Sequence, residues 1–178
     1  MDEAGRALKR VAVGSERYAE LTDWLYREAE LLDTGREREW LETMVSKAIV
    51  YRVPLRQTVE RSRGTGFAPS TFHLDESYGS LTSRVARNDS AFAWAEDPPS
   101  RIRHFVANVR AATDEDGAFH VRSNMLIYRT RGEQTQPQVL SGEKQDVIAH
   151  EEDRLMLRRR SVLLDLSVIE THNLAIFF

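Results

Sequence analysis

The feature that most constrains this sequence is an alternation of apolar and polar side chains, with a period of two, on both sides of one turn. The apolar positions are odd from 105 to 111 and odd again from 119 to 127, where Ser123 is small and polar. The segment DEDG, residues 114–117, separates the two runs. A strand with one buried face has this period. Two such runs around a glycine-containing turn predict an antiparallel hairpin.

The register of the hairpin follows because both apolar sets have to face the same way, so that paired residues share parity. A loop formed by residues 115–117, with Gly117 in the left-handed conformation, meets this condition. Arg110 then lies opposite Arg122, and Asn108 lies opposite Asn124, on the polar face. Two opposed arginines are unfavourable by about 0.2–1 kcal/mol. We therefore expect a carboxylate or a partner chain beside them.

The first half of the chain has the period of amphipathic helices. Apolar side chains recur at three- and four-residue steps from Tyr18 to Leu32, with Ser15 as the predicted N-cap and Gly35 as the residue that ends the helix. Asp75 is the predicted cap of a later helix. The apolar sides of the two further predicted helices are formed by Trp40, Leu41 and Met44, and by Tyr78, Leu81 and Val85.

Strands are predicted at AIVYRV, residues 48–53, and near residues 137–150, 154–164 and 169–178. Pro54 confines the end of the first strand to an edge or a bend, and the polar stretch 57–70 is predicted to be a loop. Helices followed by consecutive antiparallel strands indicate an α+β fold, with the helices packed on one face of a curved sheet.

Composition narrows the class of protein. A chain of 178 residues is expected to form one domain, here residues 15–178 after a flexible arm of residues 1–14. The absence of Cys excludes disulfides and thiolate ligands and is typical of a reducing compartment. No run suits a signal peptide or a membrane span, so a cytoplasmic protein is expected. A net charge of −3 argues against a nucleic-acid partner.

No motif for catalysis or metal binding is found. The sequence has no G-x-S-x-G, P-loop or dinucleotide fingerprint, and DEDG lacks the distant Glu of a calcium loop. A 2-His-1-carboxylate iron site assembled from distant residues stays open. The histidines, none with the spacing of a helix-borne metal site, are His73, His104, His120, His150 and His172. No catalytic, cofactor-binding or metal-binding residue is assigned.

Arginine is concentrated on the predicted strands. In RLMLRRR, residues 154–160, Arg159 shares a strand face with Leu155 and Leu157 and would need a carboxylate if buried. Because Arg is favoured at protein interfaces, a contact surface is one interpretation and a solvated face is the other. The other arginines of this group are Arg101, Arg103, Arg110, Arg122, Arg154, Arg158 and Arg160.

The last segment, HNLAIFF, is apolar on both faces of a predicted strand. Ile176 and Phe178 point to one side, and Phe177 points to the other. Such a strand needs a cover on each face. The helices of its own domain supply one cover, and either a neighbouring subunit or the remainder of a small closed cone supplies the other.

Four separated segments resemble a known family: WLYREAELLDTGREREWLETM, AWAEDPPSRIRHFVANV, HVRSNMLIYR and ETHNLAIFF. Together they are similar to the small (beta) subunit of bacterial aromatic ring-hydroxylating dioxygenases, in particular the branch that acts on biphenyl, alkylbenzenes and phenylpropionate. The resemblance extends in order from about residue 18 to residue 178 and is weakest in residues 57–70 and at the start.

The resemblance implies a cystatin-like or NTF2-like α+β cone within an α3β3 hexamer of large catalytic subunits and beta copies. In that family the large subunit holds a Rieske [2Fe–2S] centre and a mononuclear Fe(II), and a ferredoxin and an NADH-dependent reductase act with the complex. A Rieske centre needs two Cys and two His, so a chain without Cys cannot hold one. The resemblance therefore implies a structural subunit.

On this interpretation the Arg-rich strands and the apolar last residues serve assembly. The residues predicted to contact the large subunit or another beta copy are Arg101, Arg103, His104, Arg158, Arg160, Phe177 and Phe178. The alternative is a free-standing NTF2-like isomerase or dehydratase with a general base and a Tyr or His in an apolar pocket. Tyr51, Tyr128 and His120 are then the available residues, although His120 falls on the polar face of the hairpin.

Overall fold

The computed structural model describes residues 7–60, 66–88, 99–169 and 176–178. In this part of the chain the helices are α1 (Glu16–Asp33), α2 (Glu37–Met44) and α3 (Tyr78–Asn88). The strands are β1 (Lys9–Arg10), β2 (Val45–Arg56), β3 (Phe67–Glu76), β4 (Arg101–Thr113), β5 (Phe119–Thr130), β6 (Gln138–Glu151) and β7 (Arg154–Leu164). They form one sheet in the order β1-β4-β5-β6-β7-β2-β3.

The sheet is antiparallel except where β2 runs parallel to β7. Strand β2, which follows α2 directly, lies beside β7, the last strand among the described residues. Strand β3 then returns antiparallel at the edge. The three helices pack against the inner face of the sheet. The predicted α+β cone is confirmed, and the expectation of consecutive antiparallel strands is corrected at the β2–β7 pair.

The β4–β5 hairpin has the predicted register beside its turn. Arg110 pairs with Arg122, and Gly117 has a φ of 81° in the loop. The Asp114 N–H donates to the Ala118 carbonyl at 3.0 Å and closes this loop. Alternation of apolar residues together with turn chemistry was therefore sufficient to fix the pairing near the turn.

A β-bulge at Asn108 reverses the faces of β4 beyond this point. Asn108 has a φ of 53°, and the register shift places Ala107 opposite Asn124, so the predicted pairing of Asn108 with Asn124 was wrong. The prediction that Phe105 faces the core was wrong for the same reason, since Phe105 is 54% exposed. Ile102 and Val106 pack against the core instead.

A second bulge reverses the faces of β7. Val147 pairs with Arg159 and Ile148 pairs with Leu157, which leaves Arg158 as the extra residue. Arg160, rather than Arg159, therefore joins Leu157 on the inner face and is fully buried, whereas Arg159 is exposed. The prediction that Arg159 shares the face of the leucines was wrong. Arg160 is therefore the arginine that requires a buried carboxylate partner.

Helix α1 begins as predicted, because the Ser15 Oγ accepts a hydrogen bond from the Tyr18 N–H at 3.3 Å. It also ends as predicted, with Gly35 at a φ of 69°. Helix α3 starts later than expected, because Asp75 belongs to β3. Ser77 caps this helix instead: the Ser77 N–H donates to the Ser80 Oγ at 2.9 Å.

The predicted loop 57–70 contains the start of β3. This strand lies at the edge of the sheet beside β2. An edge strand with a solvated side tolerates polar residues, which explains why the polar composition suggested a loop. Pro54 lies where the β2–β3 register shifts, as the predicted bend requires.

The predicted last strand falls largely on residues 170–175, outside the described residues, as does His172. Residues 176–178, which we call the tail tripeptide, do not form a strand. Ile176, Phe177 and Phe178 are all buried, at 1%, 3% and 0% exposure. Both ring-bearing residues therefore belong to the core of this chain.

Two residues of the predicted N-terminal arm pair with the sheet. Lys9 and Arg10 lie opposite Thr113 and Ala112 of β4. The sequence did not predict this contact, and the flexibility of the arm stays a prediction. None of the helices described in the structure has the length and apolar character needed to cross a membrane.

Candidate functional site

Two regions of the described structure are candidates for function: the interior of the cone and the outer face of the sheet. In the interior, Glu28 of α1 meets Lys144 and Asp146 of β6 and Arg160 of β7. All four side chains are buried, with at most 3% of each residue exposed. We call these residues the buried cluster. It contains two carboxylates and two cations, so its charges cancel.

Arg160 uses its entire hydrogen-bonding capacity within the chain. Its Nε and Nη2 donate to the two oxygens of Asp146, each at 2.8 Å. Nη1 and Nη2 donate to the two oxygens of Glu28, again at 2.8 Å. The fifth N–H donates to the main-chain oxygen of Phe178. A guanidinium has five N–H donors, and all five are satisfied here.

Glu28 is equally well bonded. Besides the two bonds from Arg160, its Oε1 accepts from the Trp40 Nε1 at 3.0 Å and its Oε2 accepts from the Lys144 Nζ at 2.9 Å. Four donors therefore surround one buried carboxylate. Burial alone raises the pKa of a carboxyl group. Here the charges and hydrogen bonds of Arg160 and Lys144 outweigh burial and lower the pKa of Glu28 to about 2.

We expect Glu28→Gln to lower the free energy of unfolding by about 3 kcal/mol at pH 7, because it leaves two buried cations facing one carboxylate. The pKa of Glu28 moves from 4.5 to about 2 on folding. A lowered pKa contributes stability that is present above pH 4.5 and is lost as the pH falls towards 2. The gap between wild type and variant should therefore narrow by about 3 kcal/mol over that range.

Urea unfolding of both proteins between pH 7 and pH 2 measures this gap. Glu30→Gln is the matched control, because Glu30 lies on the same helix with its side chain 57% exposed and pairs with Arg27 at the surface. An exposed pair of this kind contributes about 0–1 kcal/mol. A gap that stays constant down to pH 2 would contradict the assigned charge state of Glu28.

The tail tripeptide also lies in the interior. The Phe177 ring lies 5.1 Å from the Trp40 ring, and the Arg84 guanidinium lies 5.2 Å from the Phe177 ring centre. The Tyr51 hydroxyl accepts from the Phe178 N–H at 2.8 Å and donates to the Phe178 main-chain oxygen at 3.2 Å. Burial, with the Arg160 charge opposing it, raises the pKa of Tyr51 to about 12. Tyr51 is therefore a neutral structural group at ordinary pH.

The three residues of the alternative enzymatic interpretation do not converge on one pocket. Tyr51 is 1% exposed and bonded to the tail tripeptide, whereas Tyr128 is 41% exposed on the outer face of the sheet. His120 also lies on the outer side of β5, where its Nε2 is 2.9 Å from the Asp114 carboxylate. These three residues lie in different places, and Tyr51 and His120 are bonded to other partners, so they do not form a general-base site together.

The outer face of the sheet carries a contiguous apolar patch, which we call the outer patch: Phe105, Leu126, Tyr128 and Val139. Phe105 lies opposite Leu126, and Tyr128 lies opposite Val139. These four residues are between 39% and 54% exposed. Val139 also lines a shallow groove with Leu166 and Val168, which extends the apolar surface. Contiguous exposed patches of this kind mark interaction sites.

Basic residues surround the outer patch on the same face. Arg103 lies opposite Tyr128 at one end, and its side chain is 65% exposed. At the other end the opposed Arg110 and Arg122 line a groove together with Arg158. Within the described part of the chain, no carboxylate forms an ion pair with Arg110 or Arg122. The carboxylate that we expected beside these two arginines is therefore not found among the described residues.

The structure places the seven predicted contact residues in three different settings. Arg101, Arg103 and Arg158 are exposed. Arg160, Phe177 and Phe178 are buried in this chain, so their side chains cannot reach a partner, and that prediction is corrected for them. The His104 side chain is 5% exposed and lies between Asp33 and Phe177. Arg160 is buried because the bulge at Arg158 turns it to the inner face, and Phe177 and Phe178 are buried because the tail tripeptide lies in the interior.

The residues that the structure describes do not fit an iron centre. The sequence has no Cys, and a Rieske centre needs two. Across the described ranges, no three His, Asp or Glu side chains are grouped so that they could hold a metal ion. His104 and His120 each bind a carboxylate of their own, Asp33 and Asp114. The residues that the structure describes therefore offer no ligand set for a mononuclear iron, and a sequence without Cys cannot hold a Rieske centre.

Solved structures with the same fold include both dioxygenase subunits and enzymes. Naphthalene 1,2-dioxygenase with indole bound is 28% identical, with a TM-score of 0.79 over 90% of this chain and 84% of that chain. The beta subunit of benzoate 1,2-dioxygenase from Burkholderia mallei is 22% identical, with a TM-score of 0.63 over 83% of this chain and 89% of that one. A proposed scytalone dehydratase from Novosphingobium aromaticivorans is 10% identical, with a TM-score of 0.64 over 88% and 89% of the two chains.

The last two similarities establish the fold alone. The family model described as ring hydroxylating beta subunit matches residues 27–171. This range includes α2, α3 and all the strands from β2 to β7, and it contains the whole of the buried cluster. The chain belongs to the family of ring hydroxylating beta subunits.

Proposed function

We propose that this chain is the structural, non-catalytic small subunit of a dioxygenase that adds both atoms of O2 to an aromatic ring and gives a cis-dihydrodiol. A larger partner subunit carries the Rieske [2Fe–2S] centre and the mononuclear Fe(II) in this proposal. Three copies of each subunit form the α3β3 hexamer. The observation that carries the proposal is the family match over residues 27–171.

The filled interior supports a structural role. Enzymes that use an apolar pocket need open space beside a general base. In this chain the corresponding interior holds the buried cluster, in which Glu28 and Arg160 bond to each other and to their neighbours. It also holds Phe177 and Phe178 at 3% and 0% exposure. These contacts stabilise the fold and occupy the polar groups of the buried cluster among the described residues.

The outer face supports a role in assembly. Aromatic residues and Arg are enriched in protein interfaces, whereas Lys and acidic residues are depleted. Phe105 and Tyr128 form the centre of this surface. The exposed arginines at its periphery are Arg101, Arg103 and Arg158. We assign this face to contacts with the large subunit or with neighbouring copies of this chain.

The proposal also includes a substrate class, a cellular location and a source of electrons. The substrate belongs to the biphenyl, alkylbenzene and phenylpropionate class, and the complex acts in the cytoplasm. Dihydroxylation of an arene by O2 consumes two electrons and two protons. An NADH-dependent reductase and a ferredoxin supply the electrons. The resemblance of the four sequence segments supports these points.

Purification of the chain alone and after co-expression with the neighbouring genes tests the proposal. We expect the chain alone to be colourless. After co-expression it should elute with a larger, brown subunit that contains iron and labile sulfide. A chain that shows no association with such a subunit, and that turns over a hydroxylated or carbonyl substrate unaided, would contradict the proposal and favour the isomerase or dehydratase.

A further inference from the structure

The tail tripeptide is held in the manner of a bound ligand. In strands and helices, main-chain groups bond to other main-chain groups. In residues 176–178, each carbonyl faces a side chain instead. The Ile176 oxygen accepts from the Arg84 Nη2 at 3.2 Å, and the Phe177 oxygen lies 3.0 Å from the His104 Nε2. The Phe178 oxygen accepts from Arg160 and Tyr51.

These side chains come from four separate elements of the domain. Arg84 is on α3, His104 on β4, Tyr51 on β2 and Arg160 on β7. Two of them are also held by contacts outside the tripeptide: Arg84 pairs with Glu76 at 3.2 Å, and Arg160 is held by Glu28 and Asp146. The body of the domain therefore contributes to the placement of these two guanidinium groups.

Asp33 orients His104 towards the tripeptide. One Asp33 oxygen lies 2.6 Å from the His104 Nδ1 and also accepts from the His104 main-chain N–H at 2.9 Å. The Asp33 carboxylate thus holds one side of the His104 ring, and the Nε2 on the other side faces the Phe177 carbonyl.

The site also selects aromatic side chains. The Phe177 ring lies between the Trp40 ring at 5.1 Å and the Arg84 guanidinium at 5.2 Å. Such aromatic pairs and cation–π contacts add about 0.5–1.5 kcal/mol beyond the burial of area. The Phe178 residue is completely enclosed. Main-chain carbonyls and two successive rings are thus recognised together.

We propose that the interior of the cone is a binding site for a short peptide with two successive aromatic residues, and that residues 176–178 are its built-in ligand. The body of the domain forms the receptor, and the tripeptide occupies it in cis. The inference concerns the interior alone. It does not depend on whether the outer face assembles with a large subunit.

Supplying the tripeptide as a separate peptide tests the proposal. The chain without residues 176–178 is mixed with the synthetic peptide AIFF, which has the sequence of residues 175–178. We expect saturable binding by calorimetry and, at a peptide concentration 100 times the Kd, a folded-to-unfolded ratio about 100 times higher. The peptide AIAA and the complete chain mixed with AIFF are the controls, and neither should show the effect.

The result is decisive whether or not the shortened chain folds alone. If it is folded, AIFF should bind it. If it is unfolded, AIFF should restore the native near-ultraviolet circular dichroism. Failure of AIFF to bind the folded form, or to restore the unfolded one, at millimolar peptide would overturn the proposal. Equal effects of AIFF and AIAA would overturn it as well.

Substitution of Arg84 locates the binding. In the shortened chain, Arg84→Met removes the donor to the Ile176 carbonyl and the cation beside the Phe177 ring. We expect AIFF to bind about tenfold more weakly, as for the loss of one hydrogen bond from a charged donor. Arg87→Met on the exposed side of the same helix is the matched control and should leave the affinity unchanged. Unchanged affinity of the Arg84 variant would contradict the assigned site.

Discussion

Arg160→Met is expected to lower the free energy of unfolding by about 5 kcal/mol, at the upper end of the range for breaking a buried ion pair. The variant leaves the carboxylates of Glu28 and Asp146 buried at 1% and 3% exposure, without their shared bidentate partner. It also removes the donor to the Phe178 oxygen. For a domain of this size, the melting temperature should fall by about 10–20 °C.

Arg158→Met is the matched control for this experiment. Arg158 lies two residues away on the same strand, with its side chain 48% exposed and paired with Glu151 at 2.7 Å. Loss of an exposed pair costs about 0–1 kcal/mol. Urea and thermal unfolding of both variants give the comparison. Similar small losses in both would mean that the bidentate contacts of Arg160 are not formed.

Phe105→Asp is expected to abolish co-elution with the large subunit while leaving the fold intact. Loss of a central aromatic contact costs about 3 kcal/mol, which is more than a 100-fold loss of affinity. The side chain is already 54% exposed. Its substitution should therefore change the stability of the isolated chain by no more than about 0.5 kcal/mol. Size-exclusion chromatography of the co-expressed proteins and circular dichroism give the two readouts.

Tyr26→Asp is the matched control for the outer patch, because Tyr26 is 55% exposed on α1 rather than on the outer face. It should leave the complex intact. The charge-reversed pair Arg101→Glu and Arg103→Glu should have an intermediate effect, since exposed charges at the rim of an interface change affinity less than central aromatics. An intact complex with Phe105→Asp, or equal loss with Tyr26→Asp, would remove the outer face from assembly.

Regular alternation allowed the sequence to predict the sheet but not the faces of two strands. The hairpin register beside Gly117 was correct because the turn and the apolar residues agree. The bulge at Asn108 cannot be recognised from the apolar–polar alternation. One extra residue exchanges the inward-facing and outward-facing positions in the part of β4 before it, and the sequence there looks regular. The bulge at Arg158 had the same effect on β7 and exchanged the roles of Arg159 and Arg160.

The residues of the buried cluster have the spacing of buried positions, but their polar side chains suggested exposed ones. Glu28 stands seven residues after Leu21 and three after Leu25, on the buried stripe of α1. Lys144 and Asp146 occupy alternate positions with Leu140 and Ile148 on the buried face of β6. The spacing of all three is that of a buried face, although no prediction was made for them. Their partners could not be identified, because the meeting of α1, β6 and β7 depends on tertiary packing.

The path of the tail tripeptide was not predictable for a different reason. Its apolar sequence correctly indicated burial on all sides, but a strand was the simplest way to provide it. The polar contacts from His104, Tyr51 and Arg84 replace the main-chain bonds of a strand. These residues are distant in sequence, and only the folded domain brings them together.

Native mass spectrometry of the co-expressed complex, with iron measured in each separated subunit, tests the central claim most directly. We predict a particle with three copies of this chain and three of a larger subunit, in which all the iron remains with the larger subunit. A chain that stays a monomer in the presence of its neighbouring gene products, and that catalyses a reaction by itself, would contradict the account.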